Sequence, residues 1–143
     1  MKTSELNLRR LIREMLKNRV AWTLPSFEDE LGEFNRYDLS REEVAAIRDQ
    51  FSQSNMVKLT EDIWSRLNNT DSYDVRDEDE VASLAQEYMK DWVSIKERLE
   101  DGGPMDAPIV LLRDGDYELV AGNTRLMLCR TMGITPQVLL VEL

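Results

Sequence analysis

The sequence predicts an α+β fold, with a mostly helical N-terminal two-thirds packed on a small C-terminal mixed sheet. Three observations predict it. Apolar residues recur every three or four positions through much of the first hundred residues, the spacing of one helix face. After Gly102, Gly103 and Pro104 the pattern changes to short apolar runs divided by turn residues, as in strands. A chain of 143 residues with 42% hydrophobic side chains can enclose one core rather than two. We therefore expect a single domain over 1–143, with a helical portion over 1–106 and a sheet-forming core over 107–143.

The first element is an amphipathic basic helix. Leu8, Leu11, Ile12, Met15 and Leu16 share helical spacing, while Arg9, Arg10, Arg13 and Lys17 fall largely on other faces. Such a helix can lie on a membrane or nucleic acid; we take the reading in which its apolar stripe packs on the domain and its cations are solvated. Pro25 interrupts any helix. Ser40 with Glu43 then matches a capping box, and Val44, Ala46, Ile47 and Phe51 follow as an apolar face, which predicts a helix over about 41–52. Thr60 caps a shorter helix carrying Ile63, Trp64 and Leu67. Asn68 to Ser72 form a loop of residues that bond their own backbone.

Asp71 to Glu80 holds six acids and one base. It lacks the glycine and terminal glutamate of a calcium loop, so it reads as an acidic cap at the positive end of a helix dipole. From there Val81, Leu84, Ala85, Tyr88, Trp92, Ile95 and Leu99 predict one long helix, stopped at Gly102, with Tyr88 and Trp92 in the core. Beyond it, residues 108–112 form a strand, Asp114-Gly115 a tight hairpin turn and residues 117–121 a second strand. Residues 123–132 form a helix stopped by Gly133, and residues 138–141 a last strand.

Charge and composition exclude several chemistries. The net charge of −10 opposes non-specific duplex binding, which is driven by Lys and Arg replacing phosphate counterions. The acidity is concentrated in residues 21–108, with 22 acidic and nine basic groups. With no histidine and a single cysteine, Cys129, there is no intrachain disulfide, no zinc-histidine centre and no Ser-His or Cys-His triad. No run approaches the roughly 18 apolar residues of a membrane span, and no secretory signal is evident at the start, so we expect a cytoplasmic protein with no membrane partner.

The turn Gly122-Asn123-Thr124-Arg125 joins a strand to a helix. Such a junction aims unpaired backbone N–H groups and the positive end of the helix dipole at one point, which suits an anion. Gly122 allows a tight backbone, Thr124 offers a hydroxyl and Arg125 a bidentate guanidinium. The same four residues also suit a plain helix cap with Arg125 paired to an acid. Neither a Walker loop nor a dinucleotide fingerprint is present.

Ser94-Ile95 with Gly103, Pro108-Ile109-Val110, the strand Asp116 to Gly122, the turn Asn123-Thr124-Arg125 and Val138-Leu139-Leu140 occur in a familiar order. Across residues 91–143, about a third of the chain, they resemble the ParB/sulfiredoxin-like superfamily, also described as the ParB-like nuclease domain. Tyr117 to Arg125 is the specific stretch. The segment is also similar to small tailed-bacteriophage proteins that carry this domain alone. The resemblance implies a nucleotide, ATP or CTP, or another phosphate held by Gly122, Asn123, Thr124 and Arg125, with the loop from Gly103 to Pro108 facing it across a pocket. It implies kinase or nuclease chemistry with Mg²⁺, in the cytoplasm of a bacterial host.

Two positions depart from the family. Asn123 stands where chromosome-partition members have glutamate and sulfiredoxins cysteine, and an amide serves neither as general base nor as thiol nucleophile. Thr124 stands where CTP-binding members have arginine, so a triphosphate is held less firmly. Cys129 lies one helical turn beyond Arg125 and reads as a packed thiol. Among Asp106, Asp114, Asp116 and Glu118, the carboxylates near the turn in sequence, Asp106 is the candidate catalytic residue, because its loop is the one expected to face the turn. A second reading makes the chain a non-enzymatic phage protein whose acidic helical face binds or inhibits a host or phage protein.

Overall fold

The computed structural model describes residues 7–11, 20–87 and 91–143. Its centre is a five-stranded mixed sheet ordered β2-β7-β5-β6-β3, formed by β2 (Met56–Lys58), β3 (Leu67–Asn68), β5 (Ile109–Arg113), β6 (Asp116–Ala121) and β7 (Gln137–Glu142). β5 and β6 form an antiparallel hairpin with Arg113 opposite Asp116. Asp114 and Gly115 turn it, both at positive φ (53° and 83°), as a two-residue hairpin requires. β7 returns parallel to β5, with Ile109 opposite Leu139. The crossover between them runs through β6 and the helix α7 (Asn123–Met132).

Strand alternation divides the core into two clusters, one on each face of the sheet. Ile109, Leu111, Val120, Leu139 and Val141 pack against Phe27 and Phe34 of α2 (Phe27–Phe34) and against Ile47 and Phe51 of α3 (Arg41–Gln53). Val110, Leu119 and Val138 point the other way, onto Leu126 to Cys129 of α7. The same cluster takes in Trp64 of α4 (Glu61–Arg66), Val81 of α5 (Glu78–Glu87) and Leu99 of α6 (Trp92–Glu100). The sheet is thus covered by helices on both faces. A separate pair, β1 (Trp22–Thr23) and β4 (Met105–Asp106), runs parallel beside it. Among the described residues no helix is long and apolar enough to cross a membrane.

Local signals set several boundaries. Ser40 and Glu43 form the full capping box of α3, Thr60 accepts the Ile63 N–H at the start of α4, and Gly133 ends α7 at a φ of 71°. Four expectations are corrected. The sheet is not confined to the C-terminal core, because β2 and β3 come from the helical portion and form its two edges. Leu67, expected on a helix, instead pairs in β3 with Tyr117. A two- or three-residue edge strand carries too little periodicity to be seen in sequence.

The single long helix expected over the 81–99 region is two helices. Asp91 caps the second by accepting the Ser94 N–H at 3.2 Å, and Lys96 of α6 reaches back to Glu78 of α5 at 2.8 Å. Both helices face one core, so the spacing of apolar residues runs on across the break. Tyr88 lies outside the described residues; Trp92 is partly buried against the core. In the helical residues 7–11 (α1), Leu8 and Leu11 are 57% and 60% exposed, so over this stretch the apolar stripe does not pack on the domain.

Candidate functional site

The chain leaves β6 and enters α7 through Gly122, at a φ of 108°. A Cβ there would sit 2.6 Å from the Pro108 Cβ, so the turn is drawn tightly against the start of β5. The first intrahelical bond of α7 runs from the Leu126 N–H to the Gly122 carbonyl at 3.0 Å. The N–H groups of Asn123, Thr124 and Arg125 precede it and have no partner within the helix, and no side chain caps this end.

These groups border a cleft of about 670 Å³. Gly122, Asn123, Thr124 and Arg125 line it together with Glu30, Glu33 and Arg36 from α2 and the turn of 3-10 helix after it, and Asn69, Thr70 and Asp71 from the loop after β3. The four predicted turn residues therefore lie together at an opening. Thr124 is 7% exposed, and its hydroxyl makes no hydrogen bond among the described residues. No enclosed side-chain polar atom there lacks a partner, so this hydroxyl has access to open space.

Asn123 has a structural task. Its Oδ1 accepts the Thr70 hydroxyl at 2.6 Å and the Asp71 N–H at 3.2 Å. Thr70 in turn meets Ser72 at 2.7 Å, and the buried Ser72 hydroxyl accepts the Trp64 indole N–H at 2.8 Å. An amide oxygen thus pins one wall of the cleft to the start of α7, a use of this position that involves no proton transfer.

Arg125 donates from Nη1 to the Asp106 carbonyl at 2.5 Å, which joins α7 to β4. Burial pulls its guanidinium below the ordinary value, while Glu30 and then Asp106 hold it up; an arginine stays charged throughout. The exposed Asp106 carboxylate accepts the Thr23 hydroxyl at 2.9 Å, an ordinary link across the β1/β4 pair. Asp106 is therefore adjacent to Arg125 but does not line the cleft. Cys129 is buried, and burial pushes its thiol far above the reactive range. Asp114 serves the hairpin turn.

Sequence reasoning missed Glu30, Glu33 and Arg36. They lie some ninety residues from the turn in sequence, and nothing in the sequence around them distinguishes them from other surface charges. Arg36 donates from Nη2 to the carbonyls of Leu119 at 3.2 Å and Val120 at 2.5 Å, fastening this segment to β6. Partial burial, then Glu33, Asp106 and Asp29, raise the Glu30 carboxyl above its ordinary value of 4.5, with Arg125 opposing them. A carboxyl whose folded value is raised adds stability at pH below 4.5, and that stability is lost as pH rises through the elevated value. Glu30→Gln is therefore expected to raise the melting temperature at neutral pH, with the gain vanishing below the ordinary carboxylate range. Thermal melts of both proteins from pH 3.5 to 8 check this; equal melting temperatures at neutral pH would contradict it.

Among the described residues no three acidic or thiol side chains converge to hold a metal ion. The cleft thus combines an uncapped helix start and the guanidinium groups of Arg36 and Arg125 with the carboxylates of Glu30, Glu33 and Asp71, Glu30 lying near enough to Arg125 for their charges to interact. No protein-family model, curated protein or solved structure matches this chain.

Proposed function

We propose that this protein binds a phosphate-bearing ligand, a nucleotide in the first instance, at the turn from Gly122 to Arg125. One observation carries the reading: Asn123, Thr124 and Arg125, the first residues of the uncapped helix α7, line the same open cleft. The N–H groups and dipole supply partial positive charge, the hydroxyl a donor, and the guanidinium a full charge in a half-buried setting where screening is reduced. The resemblance of residues 91–143 to the ParB/sulfiredoxin-like superfamily supports the same location.

Phosphoryl transfer or phosphodiester cleavage would belong to that cleft, whose acidic lining residues are Glu30, Glu33 and Asp71 rather than Asp106. Among the described residues no three acidic or thiol side chains converge on one point, and no step is assigned to a metal. With Asn123 engaged by Thr70 and Asp71, binding is the activity the geometry supports best.

The test is thermal stabilisation by inorganic phosphate and by nucleotides. A ligand at one hundred times its dissociation constant is expected to add about 2.7 kcal/mol to stability, and Arg125→Ala to remove that gain. Absence of a shift with every phosphate compound would overturn the proposal.

A further inference from the structure

The Asn123 carboxamide ends a chain of hydrogen bonds that runs out of the core. Trp64, 3% exposed, donates its indole N–H to the Ser72 hydroxyl at 2.8 Å. Ser72 and Thr70 meet oxygen to oxygen at 2.7 Å, and Thr70 donates to Asn123 Oδ1 at 2.6 Å. The direction of the chain is forced at both ends. An indole can only donate, so the Ser72 oxygen accepts from it and the Ser72 proton is left for Thr70. Thr70 also accepts the Ser72 backbone N–H at 3.0 Å, and its own proton goes to Asn123. At the far end the Asp71 N–H, 3.2 Å from the same Oδ1, can meet an amide oxygen but not an amide NH2. Arg130, from the last turn of α7, lies 5.1 Å over the Trp64 ring and pairs with Glu61 at 2.7 Å, which holds the ring in place.

We propose that Trp64, Ser72, Thr70 and the Asp71 N–H are a positioning device. They hold the Asn123 carboxamide with Oδ1 turned to the loop and Nδ2 left to the cleft, so that this position offers an occupant a hydrogen-bond donor and no acceptor. Nδ2 makes no hydrogen bond among the described residues, and no enclosed side-chain nitrogen or oxygen there lacks a partner, so Nδ2 reaches solvent; Asn123 lines the cleft. Hydroxyls that accept and donate at once polarise one another, so cutting the chain at one end loosens the other. The orientation of the carboxamide stands on these bonds alone, whereas its use by a ligand rests on the phosphate reading of the turn.

Hydrogen exchange followed by NMR tests the device on the whole chain. In the parent the Trp64 indole N–H is expected to exchange slowly and the Asn123 Nδ2 hydrogens as fast as those of a free carboxamide. Asn123→Ala is expected to speed exchange at the Trp64 indole and the Asp71 N–H about fivefold or more, while the Leu139 and Leu143 N–H groups, bonded within the sheet, keep the parent rates. Asn123→Asp, which keeps an acceptor oxygen, is expected to retain slow indole exchange, and Asn123→Leu, which keeps only the bulk, to behave as Asn123→Ala. Protected Nδ2 hydrogens in the parent, an indole rate unchanged by Asn123→Ala, or Asn123→Asp as fast as Asn123→Leu would each overturn the proposal, and the first of these needs no variant to fold. Inorganic phosphate then separates the two readings. Shifts of the Thr124 and Arg125 N–H signals together with those of Nδ2 would support both. Shifts of the backbone signals without Nδ2 would overturn its role as a donor to the occupant. No shift at all would overturn the phosphate reading and leave the carboxamide orientation to be decided by the exchange rates.

Discussion

Gly122→Ala is expected to destabilise the fold by about 2–6 kcal/mol, a large share of the roughly 5–15 kcal/mol of a typical domain. Two independent penalties act at this residue. A side chain at a φ of 108° strains the backbone, at about 1–3 kcal/mol. The new Cβ also falls 2.6 Å from the Pro108 Cβ and 3.0 Å from its Cα and Cγ, an overpacking of about 1–3 kcal/mol. Pro108 cannot easily retreat, because its carbonyl accepts the Leu139 N–H at 2.8 Å between β5 and β7. Gly32→Ala provides the contrast: nothing lies within 4 Å of its added Cβ, inside helix α2, so a gain of about 0.4–1 kcal/mol is expected. Urea denaturation of both variants decides the matter. A Gly122→Ala midpoint indistinguishable from the parent would show that the turn is not drawn against Pro108.

Phe34→Ala is expected to cost about 3–5 kcal/mol. Phe34 is 2% exposed, and its ring stands edge-on to Phe51 at 6.1 Å and tilted to Phe27 at 6.3 Å, while Phe27 and Phe51 make a third edge contact at 5.3 Å. Removing one ring opens a cavity and breaks two of the three aromatic contacts, each worth about 0.5–1.5 kcal/mol beyond burial. The trio fastens α2 and α3 onto the face of the sheet formed by Ile109, Leu111, Val120, Leu139 and Val141. The substitution therefore also loosens the helix that carries Glu30 and Glu33 to the cleft. Chemical denaturation should show the loss; a change below about 1 kcal/mol would mean that this face of the sheet is held by other contacts.

Much of the molecule was legible in the residues themselves, and the reason is local chemistry. The capping box at Ser40 and Glu43, the Asp114-Gly115 turn, and Gly122 and Gly133 at either end of α7 each act through backbone geometry within a few residues. The last thirty-odd residues follow the expected order of strand, hairpin, strand, turn, helix and strand. Their strands are apolar on both faces, and turn residues separate them cleanly. The break at Asp91 was hidden because α5 and α6 bury their apolar faces in one core.

The site divides along the same line. Gly122 to Arg125 could be singled out because a glycine between a strand and a helix, followed by a hydroxyl and a guanidinium, carries its chemistry within four residues. What joins those residues in the cleft was decided by packing. The Phe27, Phe34 and Phe51 rings dock α2 on the sheet, and only then do Glu30 and Glu33 reach the cleft. The edge strand β3 positions Asn69 to Asp71, and only then does Asn123 find Thr70. Local spacing determines which backbone groups a turn exposes; the hydrophobic contacts that bring distant helices onto a sheet determine which charges those groups meet.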